Sequence, residues 1–259
     1  MKGSHAKQRF LKCLVLLMGF AACSNEFDAT LLADDYQSSK QYGKTVALFG
    51  GSFTIYPGSE LAKQYWCDYL NLALTDYGIN GAGFSCLSQE HNIMSAVDDA
   101  CSDESLTYDI YIFWASTNDF SKANAYAGTI DDYTDADGFL ESALKTQCGG
   151  MNYCFSKVKC KNPQALILFF TSIGAFNHLG EGTDPNYLGK DGMNHFVDLQ
   201  KRVCEKWNIP VLDQFDKVIN ENNWRDYLSS DHLHLNYDGY LAVRESQLEF
   251  IAWPYGKEE

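Results

Sequence analysis

Short, unbroken apolar runs alternate along this chain with longer stretches whose apolar residues fall three and four apart. Val46–Phe49, Tyr108–Trp114 (unbroken from Ile110) and Ala165–Phe170 are runs of the first kind. Unbroken runs of that length predict strands buried on both faces, as in a parallel sheet. Tyr108–Trp114 also has the β-branched and aromatic residues that strands favour. A short strand before the glycine-rich stretch Asp76–Phe84, and a last one over Ile209–Asp213, bring the set to about five. Between the strands, Leu61, Tyr65, Trp66, Tyr69, Leu70 and Ala73 predict a helix starting at Ser59. Further helices are expected over 88–101, from an N-cap at Asp137 to about Lys161 with an interruption at Gly149-Gly150, over 192–207, and over Tyr237–Ile251. This alternation predicts an α/β fold: a three-layer αβα sandwich around a central parallel sheet, in one domain over residues 44–259. No internal repeat is visible.

The chain is long enough, at 259 residues, for a sizeable core, and 46% of it is hydrophobic. Its formal charge of −14 argues against a nucleic-acid backbone as partner and fits neutral or cationic ones. The first residues read as a processing signal. Lys2, Lys7, Arg9 and Lys12 precede the apolar stretch Cys13–Ala22, which is too short to span a bilayer. Small residues before Cys23 resemble the lipobox of bacterial lipoproteins. That resemblance implies a signal peptide over 1–22, lipidation of Cys23, and export to the periplasm or cell surface with contact to the membrane through the lipid alone. The polar, acidic residues 23–43 are expected to be a tether.

Export would permit disulfides. Seven cysteines lie beyond Cys23: Cys67, Cys86, Cys101, Cys148, Cys154, Cys160 and Cys204. An odd number leaves at least one thiol free or intermolecular. Buried free thiols are the alternative, and pairing is not readable from spacing. No CxxC pair suggests zinc.

Four stretches offer chemistry. Val46–Phe49 ends in Gly50-Gly51-Ser52, so Ser52 stands at the carboxyl edge of the sheet, where open α/β sheets place ligands. A serine there can be a nucleophile or a helix cap. Gly78, Gly81 and Gly83 mark a loop able to present backbone N–H groups to an anion. It has neither GxGxxG spacing nor a Walker lysine, which argues against nucleotide. Ser116-Thr-Asn-Asp119 follows a core strand, and Asn118 can cap a helix or donate to an oxyanion. Asp231 and His234 lie three apart before the last helix, where a carboxylate and an imidazole on one turn can serve a distant serine. Asp231, His232 and His234 could also offer metal ligands, though no distant ligand cluster accompanies them. Asp135–Gly138 fails the spacing of an EF-hand. The loop over 172–190 is a candidate substrate wall, and His178 within it a candidate contact.

Together these four stretches resemble the blocks of the SGNH hydrolase superfamily, the GDSL lipases and esterases, in the right order. Gly50-Gly-Ser-Phe-Thr54 is similar to the GDSL block, Gly78-Ile-Asn-Gly81 to the second, and Ser116-Thr-Asn-Asp119 to Gly-x-Asn-Asp. Asp231-His-Leu-His-Leu-Asn-Tyr-Asp-Gly-Tyr240 is similar to the last block. The resemblance implies a flavodoxin-like sandwich and a Ser52–His234–Asp231 triad. It also implies an oxyanion hole from the N–H groups of Ser52 and Gly81 (Gly83 the alternative) and the Asn118 amide, with no metal or organic cofactor. It implies hydrolysis of an ester, with an acetyl or other short acyl group on a glycan or small molecule as the expected substrate. Two positions depart from the pattern: Gly51 replaces the motif aspartate and Ser116 the motif glycine. These departures motivate the alternative of a non-catalytic glycan-binding lipoprotein on the same scaffold. A metal-dependent phosphoesterase is a third reading. Oligomeric state is not legible.

Overall fold

In the computed structural model of the chain, the described residues are 35–85, 92–121, 126–133, 145–174 and 188–257. The segment with Cys23, and also Cys86, Asp137 and His178, lies outside them. Five strands, β1 (Thr45–Gly50), β2 (Ala73–Asp76), β3 (Ile110–Trp114), β4 (Leu166–Phe170) and β5 (Val211–Leu212), form one parallel sheet in the order β2-β1-β3-β4-β5. The helices are α1 (Ser52–Ile55), α2 (Ser59–Leu70), α3 (Ile93–Ser102), α4 (Gln147–Lys161), α5 (Lys190–Lys206), α6 (Trp224–Tyr227) and α7 (Tyr237–Ala252).

The unbroken apolar runs serve two cores at once, because alternate side chains of a strand face opposite ways. Ala47, Phe49, Tyr111, Phe113, Ile167 and Phe169 face one side, where they meet Val97 of α3, Phe155 of α4 and Val203 of α5. Val46, Leu48, Ile110, Ile112, Leu168 and Phe170 face the other, against Trp66 of α2 and Val243 and Leu248 of α7. The expected αβα sandwich of five parallel strands is therefore the observed architecture.

Several boundaries differ, each for a local reason. Helix α3 starts at Ile93, later than residue 88, because Asn92 accepts from the Ser95 N–H and Ser95 Oγ accepts from the Asn92 N–H, a reciprocal cap. Helix α4 starts at Gln147 under a Thr146 cap. It runs through Gly149-Gly150 without the expected interruption. The reason lies outside the helix: a Cβ on Gly150 would stand 1.9 Å from the Phe84 carbonyl oxygen, so glycine lets the backbones meet. Strand β5 pairs over only two residues at the sheet edge.

The six described cysteines are free thiols, so the disulfides that export would permit do not occur among them. Cys148, Cys154 and Cys204 are fully buried and pack as small apolar residues. Burial pushes Cys148 up to about 12 and Cys204 well above its ordinary value. The packed domain also reaches back before Lys44. Tyr36 stacks on Trp253 with centroids 4.9 Å apart, and Ser39 Oγ donates to the Ala252 carbonyl at 2.8 Å.

Candidate active site

Strands β1 and β3 end in register, Gly50 opposite Trp114. The residues just beyond them, Ser52 and Ser116, thus emerge side by side at the carboxyl edge. Ser52 is the first residue of α1. The N-cap is Gly51, which makes no side-chain cap bond, so Ser52 does not cap the helix. As the first helical residue its N–H has no intrahelical acceptor. Ser52 is largely buried, at 5% exposure.

The loop over 228–235 brings the other partners to it. Leu228 and Leu235 form an antiparallel bridge, and Ser229 N–H donates to the His234 carbonyl at 2.7 Å. Inside this loop the N–H groups of Leu233 and His234 both donate to Asp231 Oδ1 at 3.0 Å. The other carboxylate oxygen lies 2.6 Å from His234 Nδ1. His234 Nε2 lies 2.7 Å from Ser52 Oγ. Burial acting alone would raise the Asp231 carboxyl. The hydrogen bonds from the His234 ring and from the N–H groups of His234 and Leu233 outweigh it, and the group sits below its ordinary value.

The second and third glycine-rich and polar blocks converge on the same edge. Asn118 Nδ2 donates to the Ala82 carbonyl at 3.0 Å and to Ser116 Oγ at 2.5 Å. Ser116, not Asn118, caps the short 3-10 turn Thr117–Phe120 by accepting from the Asn118 N–H. Gly81 has a left-handed φ of 75°, and no acceptor among the described residues takes its N–H. Gly83, the alternative donor, packs its α-carbon against the Asp119 carboxylate. His232 turns away from the triad and meets Trp224 edge-on at 4.6 Å. Among the described residues, no group of three or more His, Cys, Asp and Glu side chains could hold a metal ion.

Three supporting residues have no role that the sequence motifs assign. Tyr56 stacks flat on the His234 ring, with centroids 4.1 Å apart and planes 5° apart. Its place four residues after Ser52 is the only hint in the sequence. Asp119 is fully buried and accepts from the N–H groups of Phe84 and Ser85 at 2.9 and 3.0 Å. Burial raises its carboxyl despite those two bonds and a third from the Ser85 hydroxyl. It ties the loop that contains Gly81 to the turn that contains Asn118. Tyr240 Oη donates to the Phe53 carbonyl at 2.9 Å and so fixes α7 to α1.

A hydroxyl bonded to an imidazole that is bonded to a carboxylate is an arrangement that can take a proton from serine and stabilise the resulting imidazolium. Solved structures share the fold. A lipase/acylhydrolase from Enterococcus faecalis aligns with a TM-score of 0.56 at 14% identity, over 83% of this chain and 99% of its own. A protein from Lactobacillus plantarum aligns with a TM-score of 0.59 at 17% identity, over 80% and 96%. No curated protein matches the sequence. The profile of the GDSL-like Lipase/Acylhydrolase family matches residues 48–242, a span that contains every residue of the candidate site, and by that match the chain belongs to the family.

Proposed function

We propose that this protein is a serine carboxylic ester hydrolase that removes short acyl groups, acetyl foremost, from carbohydrate. The observation behind this reading is the continuous hydrogen-bonded chain from Ser52 Oγ through His234 to Asp231. Ser52 Oγ attacks the acyl carbonyl carbon as its proton passes to His234 Nε2. The carbonyl oxygen becomes an oxyanion held by the N–H groups of Ser52 and Gly81 and by the Asn118 amide. For this, Asn118 exchanges one of its present acceptors for the oxyanion. The intermediate collapses as His234 returns the proton to the leaving alcohol oxygen, leaving an acyl-serine. His234 then takes a proton from water, which attacks the acyl carbon. The bond between the acyl carbon and Ser52 Oγ then breaks as His234 returns the proton to Oγ, so the acid leaves and Ser52 is restored. Asp231 keeps the imidazole in the tautomer with its proton on Nδ1.

Support for a carbohydrate alcohol comes from the rim. Tyr237 is 62% exposed, and its ring lies beside Gly58, two residues after the Tyr56 that covers His234. An exposed aromatic face beside the segment that carries Tyr56 suits the apolar face of a sugar ring. The lipobox-like sequence before Cys23 supports an exported, membrane-tethered enzyme that meets such substrates outside the cytoplasm. A fluorophosphonate, which forms a bond to an activated serine with loss of fluoride, tests the site. The expected outcome is a single adduct on the Ser52 peptide, absent from His234→Ala. An adduct on another serine, or equal labelling of the variant, would contradict the assignment.

A further inference from the structure

The two departures from the family pattern touch each other. A Cβ on Gly51 would stand 2.5 Å from Ser116 Oγ, 2.8 Å from Ser116 Cβ and 2.7 Å from the Ala82 carbonyl oxygen. Ordinary Cβ contacts begin near 3.4 Å, so a side chain at 51 and the present side chain at 116 exclude one another. The register explains why they meet, because each follows the paired strand ends Gly50 and Trp114. Two of those obstructing atoms also have another task. Ser116 Oγ and the Ala82 oxygen are the two acceptors of Asn118 Nδ2. Ser116 Oγ accepts from the Asn118 backbone N–H as well, at 3.1 Å. A hydroxyl has two lone pairs, and Asn118 occupies both. Ser116 therefore holds both the backbone N–H and the side-chain amide of the one residue whose side chain is assigned to the oxyanion, from a position only 1% exposed.

We propose that Ser116 is the positioning residue for the Asn118 amide, and that Gly51 is glycine because Ser116, together with the Ala82 carbonyl, fills the space beside the nucleophile; this rests on the ester-hydrolase reading above. The aspartate missing at 51 and the side chain gained at 116 are then one coupled exchange rather than two lesions. A side chain restored at 51 would wedge against both oxygens that hold Asn118.

The test is a kinetic cycle on p-nitrophenyl acetate. It compares the parent chain with Ser52→Ala, Ser116→Ala, Gly51→Ala, Ser116→Gly and the Gly51→Ala/Ser116→Gly double variant, with Tm measured for each. Ser116→Ala keeps the bulk and removes only the acceptor. It is expected to lower kcat about tenfold with KM within about twofold and Tm near the parent value, because a misplaced donor acts on the transition state and not on binding. Gly51→Ala is expected to cost about a hundredfold in kcat in the parent and about tenfold less than that in the Ser116→Gly background. If Gly51→Ala does not fold, Ser116→Ala decides alone. An unchanged or raised kcat in Ser116→Ala would overturn the positioning role, a rise meaning that the hydroxyl sequesters the amide. An equal cost of Gly51→Ala in both backgrounds would overturn the coupling. No turnover by the parent, or turnover that survives in Ser52→Ala, would overturn the ester-hydrolase reading and the inference with it.

Discussion

At the residue scale, the site depends on hydrogen bonds that decide which groups hold protons. Asp231 accepts from one imidazole and two backbone N–H groups, and its carboxyl is held below its ordinary value. The sign follows from linkage. A carboxyl depressed on folding adds stability above its unfolded value, and that contribution is lost as pH falls through the folded value. The loop over 228–235 should therefore keep its Asp231-dependent order down to about pH 4 and lose it below. Asp231→Asn is expected to abolish that acid-side dependence in a melting series. It should also lower kcat by about 10⁴ at neutral pH, because the amide no longer fixes the Nδ1–H tautomer. A variant with near-parent kcat would remove Asp231 from the mechanism. Ser52, Asp231 and His234 were legible in the sequence because strand ends and three-residue spacing place side chains almost unaided. Tyr56 was not, since a ring four residues along a short helix reads equally as core until the partner imidazole is in place.

At the scale of elements, the sheet edge is a joint between loops, and Asp119 is its pin. A buried carboxylate accepting from Phe84 and Ser85 orders the segment in which Gly81 lies. Asp119→Ala would leave two buried N–H groups without that acceptor, at about 1–3 kcal/mol each. The expected outcome is a clear fall in the urea midpoint, with esterase activity falling in the protein that remains folded. A midpoint within error of the parent would show that the loop is held by other means. The elements themselves were legible where both faces of a strand are buried, since apolar runs then have no other use. The continuity of α4 was not. Gly149-Gly150 reads as a breaker, and its reason, the Phe84 carbonyl pressed against Gly150, is a contact between residues far apart in sequence. The cap at Asn92 shows the same limit at smaller scale, because a Ser three residues on is a weaker signal than the usual Glu or Gln.

For the whole molecule, the sandwich puts the hydrogen-bonded chain of Ser52, His234 and Asp231 at the carboxyl edge of the sheet, beyond Gly50 and Trp114. The first described residues pack elsewhere, on the end of α7. Tyr36 stacks on Trp253 and meets Tyr69 edge-on at 5.6 Å. What composition suggested as tether thus includes a packed segment, legible only once the last helix is in place. Removing residues 1–43 should lower Tm by several degrees relative to removing residues 1–34, because stacked aromatic pairs contribute about 0.5–1.5 kcal/mol each. Equal Tm values would show that this segment does not support the fold. Ser52, His234 and Asp231 make none of these contacts, so kcat is expected to be the same in both.

If Ser52 is an activated nucleophile, hydrolysis of p-nitrophenyl acetate by the chain from residue 35 onward must depend on it, and the Ser52→Ala variant is the control. The expected outcome is turnover by the parent and none above background in the folded variant, with acetate preferred over longer acyl chains. Turnover retained by Ser52→Ala would contradict it.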